Sequence, residues 1–257
     1  MDLVKYAVKD RVGFVTLNRP EKRNALSFEL VSELMAVFTK AESDSAVKVI
    51  VLGAVGEAFC AGADLAYLQK LQHFSFEENL NDSRHLRDLF LKIYTLKKVV
   101  IAQVQGHALA GGCGLATVCD IIFAVPEARF GYTEVRIGFV PAIVMVFLLR
   151  KLGEQKAKQL LLGGELIAGA AAVACGLVNF LASRESLESS VMEYAKKLVN
   201  QNSLQSMELT KQMIAEVQSL PLTEALDYAA TMNARARTTE DCKKGIQAFL
   251  EKRDNNW

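Results

Sequence analysis

The chain has 257 residues, 51% of them hydrophobic and 23% charged, with 30 basic against 29 acidic side chains and a formal net charge of +1. That apolar share excludes a disordered chain and suffices for one large core, and the balanced charge leaves no basic excess for a nucleic-acid partner. The longest apolar stretch, Phe139 to Leu149, is too short to span a bilayer, and Met1 to Lys5 lacks the charged head and apolar body of a secretion signal, so a cytoplasmic chain without a membrane partner is expected.

In chain order, Leu3 to Lys9 and Val12 to Leu17 alternate apolar and polar residues around Asp10-Arg11, which predicts an opening hairpin. Ser27 is placed to cap a helix running to about Glu42, with Leu30, Val31, Leu34, Val37 and Phe38 on one face. Val47 to Leu52, Val99 to Val104 and Ile121 to Val125 are short β-rich runs suited to strands buried on both faces. Helical patterns lie between them at Asp64 to Leu71 and Glu77 to Leu96, so the class is α/β with parallel pairing. From about Leu187 only helical periodicity remains, over 187–199, 203–217, 223–235 and 239–252, the last capped by Thr238 with Asp241. The expected division is an α/β core over 1–186 and a helical region over 187–257 that serves as a lid or an association surface.

The five cysteines (Cys60, Cys113, Cys119, Cys175, Cys242) form no CxxC, and none of the three histidines (His73, His85, His107) stands in HExxH. Small reduced thiols are expected, and no metal site.

One element recurs. Val47 to Leu52 leads into Gly53 through Asp64 and then a helix; Val99 to Val104 leads into Gly106 through Gly114 and then a short helix. Glycine and alanine in such turns let a ligand approach the main chain, and the first turn of a helix carries unpaired N–H groups. Two facing loops of this kind can aim two donors at one oxygen, which is an oxyanion hole. Taken singly, each loop also reads as a strand-to-helix turn that packs on small residues. Neither GxGxxG, GxxxxGK[ST] nor GxSxG occurs, which argues against a phosphate cradle and an acyl-enzyme hydrolase.

At these residues the sequence resembles the enoyl-CoA hydratase/isomerase (crotonase) superfamily. The matching stretches are Asn18-Arg19-Pro20 with Asn24-Ala25-Leu26; Ala58 to Leu65; Val100 through Gly111-Gly112-Cys113-Gly114-Leu115-Ala116; Cys119-Asp120-Ile121; Ala128 to Gly131; Glu134 to Gly138; and Ala248 to Arg253. The resemblance implies a spiral of ββα units followed by helices that build a homotrimer or a dimer of trimers. It implies an acyl-CoA thioester as substrate and no cofactor beyond the coenzyme A that the substrate carries. The thioester oxygen would accept hydrogen bonds from the amides of Ala61 and Gly111, and the CoA would run along Ala25, Ala61, Ala63, Asp64 and Leu65. Phe249 and Lys252 would reach the CoA of a neighbouring subunit, and Arg19, Lys22 and Arg23 could meet its phosphates.

The sequence departs from that pattern at one decisive place. Typical hydratases of the family use two glutamates; the second stands here as Glu134, and where the first is expected the chain has Gly114. A PGAGG-like stretch is also replaced, by Pro141 to Met145. A lone carboxylate can shuttle a proton between two carbons, as in double-bond isomerisation, or pass a water's proton to carbon, as in hydration. The segment from Glu134 to Ala142 resembles bacterial hydratases of branched substrates, the methylglutaconyl-CoA kind. Hydration of a 2-enoyl-CoA is therefore placed first, with Δ3,Δ2-isomerisation and non-catalytic acyl-CoA binding as alternatives. The apolar run after Glu134 predicts partial desolvation, which would raise its pKa toward that of a useful base. Asp64 reads as a helix cap, Asp120 as a turn anchor and His107 as structural. Leu65, Leu68, Leu86, Phe90, Val140 and Ile143 are candidate walls of the acyl pocket.

Overall fold

The computed structural model describes residues 2–255 and Trp257. The hairpin is β1 (Val4–Lys9) against β2 (Val12–Leu17), antiparallel with Val4 opposite Leu17. Asp10 and Arg11 both take positive φ, 52° and 62°, as a tight two-residue hairpin turn requires. Helix α1 (Phe28–Ser43) starts where the Ser27 hydroxyl accepts from the Leu30 amide, and buries Leu30, Val31, Leu34, Phe38 and Ala41. Strand β3 (Val49–Ala54), helices α2 (Leu65–Leu71) and α3 (Phe76–Thr95), and strand β4 (Val99–Val104) follow. Next come β5 (Ala108–Leu109), α4 (Gly111–Thr117), β6 (Ile121–Ala124) and β7 (Arg129–Gly131), then a 3-10 turn over Glu134–Ile137. Helix α5 (Ala142–Gly163) is broken at Gly153, whose φ is 74°. Strand β8 (Ile167–Ala168), helix α6 (Gly169–Ala174) and strand β9 (Phe180–Leu181) lead to the helices α7 (Leu187–Gln201), α8 (Leu204–Val217), α9 (Leu222–Arg237) and α10 (Glu240–Leu250).

The main sheet runs β1-β2-β3-β4-β6-β9 and is parallel from β2 onward. Parallel strands covered on both faces read as continuous apolar runs, and the β3 and β4 segments do. A second small sheet, β5-β7-β8, grows from the loop after β4; its two- and three-residue strands leave too little periodicity to be read in the sequence. Helix α7 lays Leu187, Val191, Ala195 and Val199 into the same core, so the helical stretch begins as a layer over the sheet. Helix α8 is pinned by Lys211, whose Nζ donates to the carbonyls of Ile93 and Lys98 and to Asp120 Oδ2 at 2.7 Å. The cap of α10 is Thr239, whose hydroxyl accepts from the Cys242 amide, not Thr238; the Thr238 amide instead bonds back to Arg235. Among the described residues no helix is long and apolar enough to cross a membrane.

Candidate active site

The site is built where the loops after β3 and β4 run side by side. Cys60 bridges Ala108 in parallel: the Cys60 amide donates to the His107 carbonyl at 3.1 Å, and the Leu109 amide to the Cys60 carbonyl at 3.0 Å. The loops touch so closely that a Cβ on Gly112 would stand 2.3 Å from the Cys60 carbonyl oxygen. Only glycine fits there. Two residues on, a Cβ on Gly62 would stand 3.0 Å from both the Leu109 carbonyl oxygen and the Ala110 Cβ, so the loops stay side by side up to the start of α4.

Alternation along the first loop decides which amides are available. The Ala61 amide faces the other way and donates to the Arg23 carbonyl at 3.0 Å, so the expected role of Ala61 as an oxyanion donor is corrected: its N–H is already occupied. Past Gly62, at φ 92°, Leu26 pairs with the residues flanking Ala63, donating to the Gly62 carbonyl and accepting from the Asp64 amide. In such a parallel bridge the groups of the bridged residue itself point to the opposite side. The amide of Ala63 thus points away from Leu26, and neither it nor the amide of Gly111, in the first turn of α4, has a backbone partner among the described residues. Just before it, Ala110 holds φ 49°, ψ −125°, with its amide bonded to the Gly131 carbonyl at 2.7 Å. Non-glycine backbone in that region stores strain and persists only where its surroundings impose it, commonly at functional sites.

Strand β7 brings in the carboxylate. Leu109 is opposite Gly131, and three residues later Glu134 opens the 3-10 turn. Its side chain lies close enough to Cys113, in the first turn of α4, for its charge to raise that thiol's pKa. Glu134 is 9% exposed, and its Oε2 is buried with no hydrogen-bond partner. Burial raises its carboxyl above the ordinary range, against a smaller lowering by its own backbone amide. Such a carboxylate is held ready to exchange a proton rather than committed to an ion pair.

The position expected to carry a first glutamate is filled. A Cβ on Gly114 would stand 2.2 Å from Val144 Cγ1 and 3.0 Å from Phe90 Cε2. Val144, at the start of α5, has moved into that volume, so Gly114 marks a packed apolar wall rather than an open gap.

The remaining residues divide by location. Ala25 is buried, and its carbonyl accepts from Arg19 Nη1 at 3.2 Å. Asp64 caps α2 through the Tyr67 amide and pairs with Arg19 at 2.9 Å. Burial pushes its carboxyl up, but the Tyr67 amide and the Arg19 guanidinium outweigh that and hold it below the usual range. Arg19 is thereby committed to the loop, while Lys22 and Arg23 are exposed. Leu65 is 79% exposed at the rim, and Val140 is exposed too. Phe249, 82% exposed, and Lys252 project from the end of α10, which packs on α8 and α9, so the single chain does not gather them with the Glu134 loops. His107 accepts from the Arg129 amide through Nδ1, and Asp120 accepts from the Val100 amide. The Cys60, Cys113 and Cys119 thiols are pushed up to about 12 by burial and stay protonated near neutrality.

Two positioning residues carried no assigned role in the sequence. Asn24, fully buried, ties the first loop by donating to the carbonyls of Val55 and Ala58 and accepting from the Arg19 amide. Tyr132, fully buried, bonds Thr117 at 2.7 Å and so fixes the β7 end against α4. The Asn-Ala-Leu motif pointed to Asn24; nothing in the sequence pointed to Tyr132.

Comparison with known proteins identifies the family. The pattern of the enoyl-CoA hydratase/isomerase family matches residues 7–257. A Thermus thermophilus protein bearing an enoyl-CoA hydratase name is 44% identical over 248 residues, covering 95% of this chain and 96% of its own. The short-chain-enoyl-CoA hydratase of Clostridium acetobutylicum is 34% identical over 249 residues, covering 95% and 92%. The crystal structure of enoyl-CoA hydratase from Mycobacterium smegmatis superposes with a TM-score of 0.94 at 31% identity, over 100% of this chain and 99% of that one. The fold is the crotonase fold, and this chain is an enzyme that belongs to the enoyl-CoA hydratase/isomerase family.

Proposed function

We propose that the chain adds water reversibly across the 2,3-double bond of an enoyl-CoA, with the Ala63 and Gly111 amides holding the thioester oxygen and Glu134 moving the proton. The observation that carries this reading is a buried carboxylate with an unpartnered oxygen, in the turn that follows β7, where β7 pairs with the loop leading to the unpaired Gly111 amide. Water oxygen bonds to C3 as Glu134 takes the water's proton; the electron pair of the double bond passes onto the thioester oxygen. The same carboxyl then returns its proton to C2, giving the 3-hydroxyacyl-CoA. Two fixed donors stabilise the enolate oxygen, and losing one costs about 3–4 kcal/mol of barrier. A branched, methylglutaconyl-type acyl group is the substrate suggested by the Glu134–Ala142 segment. The protein works in the cytoplasm as a homotrimer or dimer of trimers built through residues 187–257, with Phe249 and Lys252 touching a neighbour's CoA, and needs no cofactor.

A second reading is favoured by the wall at Gly114: with no room for another carboxylate, Glu134 alone could carry a proton from C2 to C4, which is Δ3,Δ2-isomerisation. Supplying crotonyl-CoA, methylglutaconyl-CoA and a 3-enoyl-CoA in parallel separates the two. Loss of the conjugated enoyl absorbance supports hydration; its gain from the 3-enoyl substrate supports isomerisation. Tight binding without either change refutes both in favour of a non-catalytic acyl-CoA binder.

A further inference from the structure

A pocket of about 820 Å³ that Glu134 does not line lies at the other end of α4, bounded by Thr117 and Cys119 together with Tyr94, Phe147, Lys151 and Ile214. Helix α4 has seven residues, so it spans about 10 Å from the unpaired amide of Gly111 to that cavity. Gly114 stands midway. Against it are pressed Val144, 4% exposed, and the fully buried Phe90. Phe147, one turn beyond Val144 on α5, packs edge-on against Phe90 at 6.3 Å between ring centroids and lies 5.2 Å from the Tyr94 ring.

The direction of the acyl chain follows from the chemistry. With the thioester oxygen on the Ala63 and Gly111 amides, the proposed proton transfers place C2 and C3 beside Glu134. The CoA leaves along the exposed side of the first loop, at Ala63 and Leu65. The acyl end therefore points along α4 toward Gly114 and meets Val144.

We propose that Val144, backed by Phe90 and Phe147, ends the acyl pocket and sets a short-chain specificity, and that the cavity behind it is acyl-binding volume closed off by this wall. The proposal rests on the hydratase/isomerase reading of the Glu134 site. The test compares kcat/KM for crotonyl-, 2-hexenoyl- and 2-octenoyl-CoA in the wild type, Val144→Ala and Phe147→Ala. The wild type is expected to lose about tenfold or more with each lengthening, since each adds methylenes that the pocket cannot hold. Both variants are expected to raise the octenoyl-to-crotonyl ratio by about tenfold or more, chiefly through KM, with the pH profile of kcat unchanged. A wild type that turns over 2-octenoyl-CoA as well as crotonyl-CoA overturns the wall. So do folded variants that lose activity on every chain length in proportion, the result of mere structural damage. Should the wild type turn over no enoyl thioester, the assigned chemistry fails. Calorimetric affinities for butyryl- and octanoyl-CoA then decide the wall by the same ratio.

Discussion

Replacing Glu134 by glutamine keeps the volume and removes the proton-carrying group, so it tests chemistry and electrostatics in one molecule. A positioned acid or base contributes about 10²–10⁴ in rate. In the proposed mechanism both proton transfers use one carboxylate, since Val144 and Phe90 occupy the space beside Gly114. The loss is therefore expected near the upper end, about 10⁴ in kcat, or about 5 kcal/mol of barrier. Affinity for CoA, proposed to bind along the first loop, is expected to survive. The stability of the same variant should move the opposite way. Burial raises the Glu134 carboxyl in the folded chain, so between its unfolded pKa, about 4.3, and its folded value the native state binds more protons than the unfolded one. Wild-type stability thus falls as pH rises through that window, and above it the fold carries an ionised, partly unpartnered carboxylate. Glutamine does not titrate. At about pH 8 the Glu134→Gln protein is expected to be more stable than wild type by about 1–3 kcal/mol, the cost scale of a buried unsatisfied polar group, and the gap should close near pH 4. Enoyl absorbance and thermal unfolding at both pH values measure the two effects. Retention of more than about a tenth of the activity, or a stability difference that does not change with pH, would refute the reasoning.

Further tests address the other elements of the site. Ala63→Pro deletes the unpaired amide and should lower kcat by about 10²–10³ with little change in melting temperature, whereas Ala61→Pro should chiefly destabilise, because its amide is bonded to Arg23; the reverse pattern in steady-state kinetics would restore Ala61 as the donor. Gly114→Ala drives a methyl into Val144 and should cost about 1–3 kcal/mol in urea unfolding. Adding Val144→Ala should recover at least half of that, and strict additivity would mean the two residues are not in contact. Lys211→Met leaves Asp120 without its cation and should cost about 3 kcal/mol. The double variant with Asp120→Asn should be milder, and equal losses would show that the pair is not what docks α8.

The local elements were legible because they follow from short-range rules. The hairpin turns at Asp10-Arg11, α1 starts at Ser27, and β3, β4 and β6 are apolar runs, all set by periodicity, turn residues and caps a few positions apart. The glycine-rich loops were legible for the same reason, since a close backbone approach demands small residues at fixed places, whereas Glu134 stood out only through the family resemblance. Thr239 capping α10 in place of Thr238 is a one-residue slip of the kind expected where adjacent threonines could each cap.

What the sequence did not contain was direction. Which of the Ala61 and Ala63 amides is free depends on which neighbour each loop residue faces, and that was decided by Arg23 and Leu26, far away in the chain, pairing with alternate positions. Gly114 read as a missing glutamate; tertiary packing made it a contact point for Val144, thirty residues on. Tyr132 and Asn24 are ordinary polar letters until burial forces each to find a partner. The sequence by itself determined the longer elements and the two glycine-rich loops, but not the short strands of the second sheet. Only the tertiary structure decided which amides are left unpaired and that Val144 and Phe90 fill the space beside Gly114, because both depend on contacts between segments that no local pattern encodes.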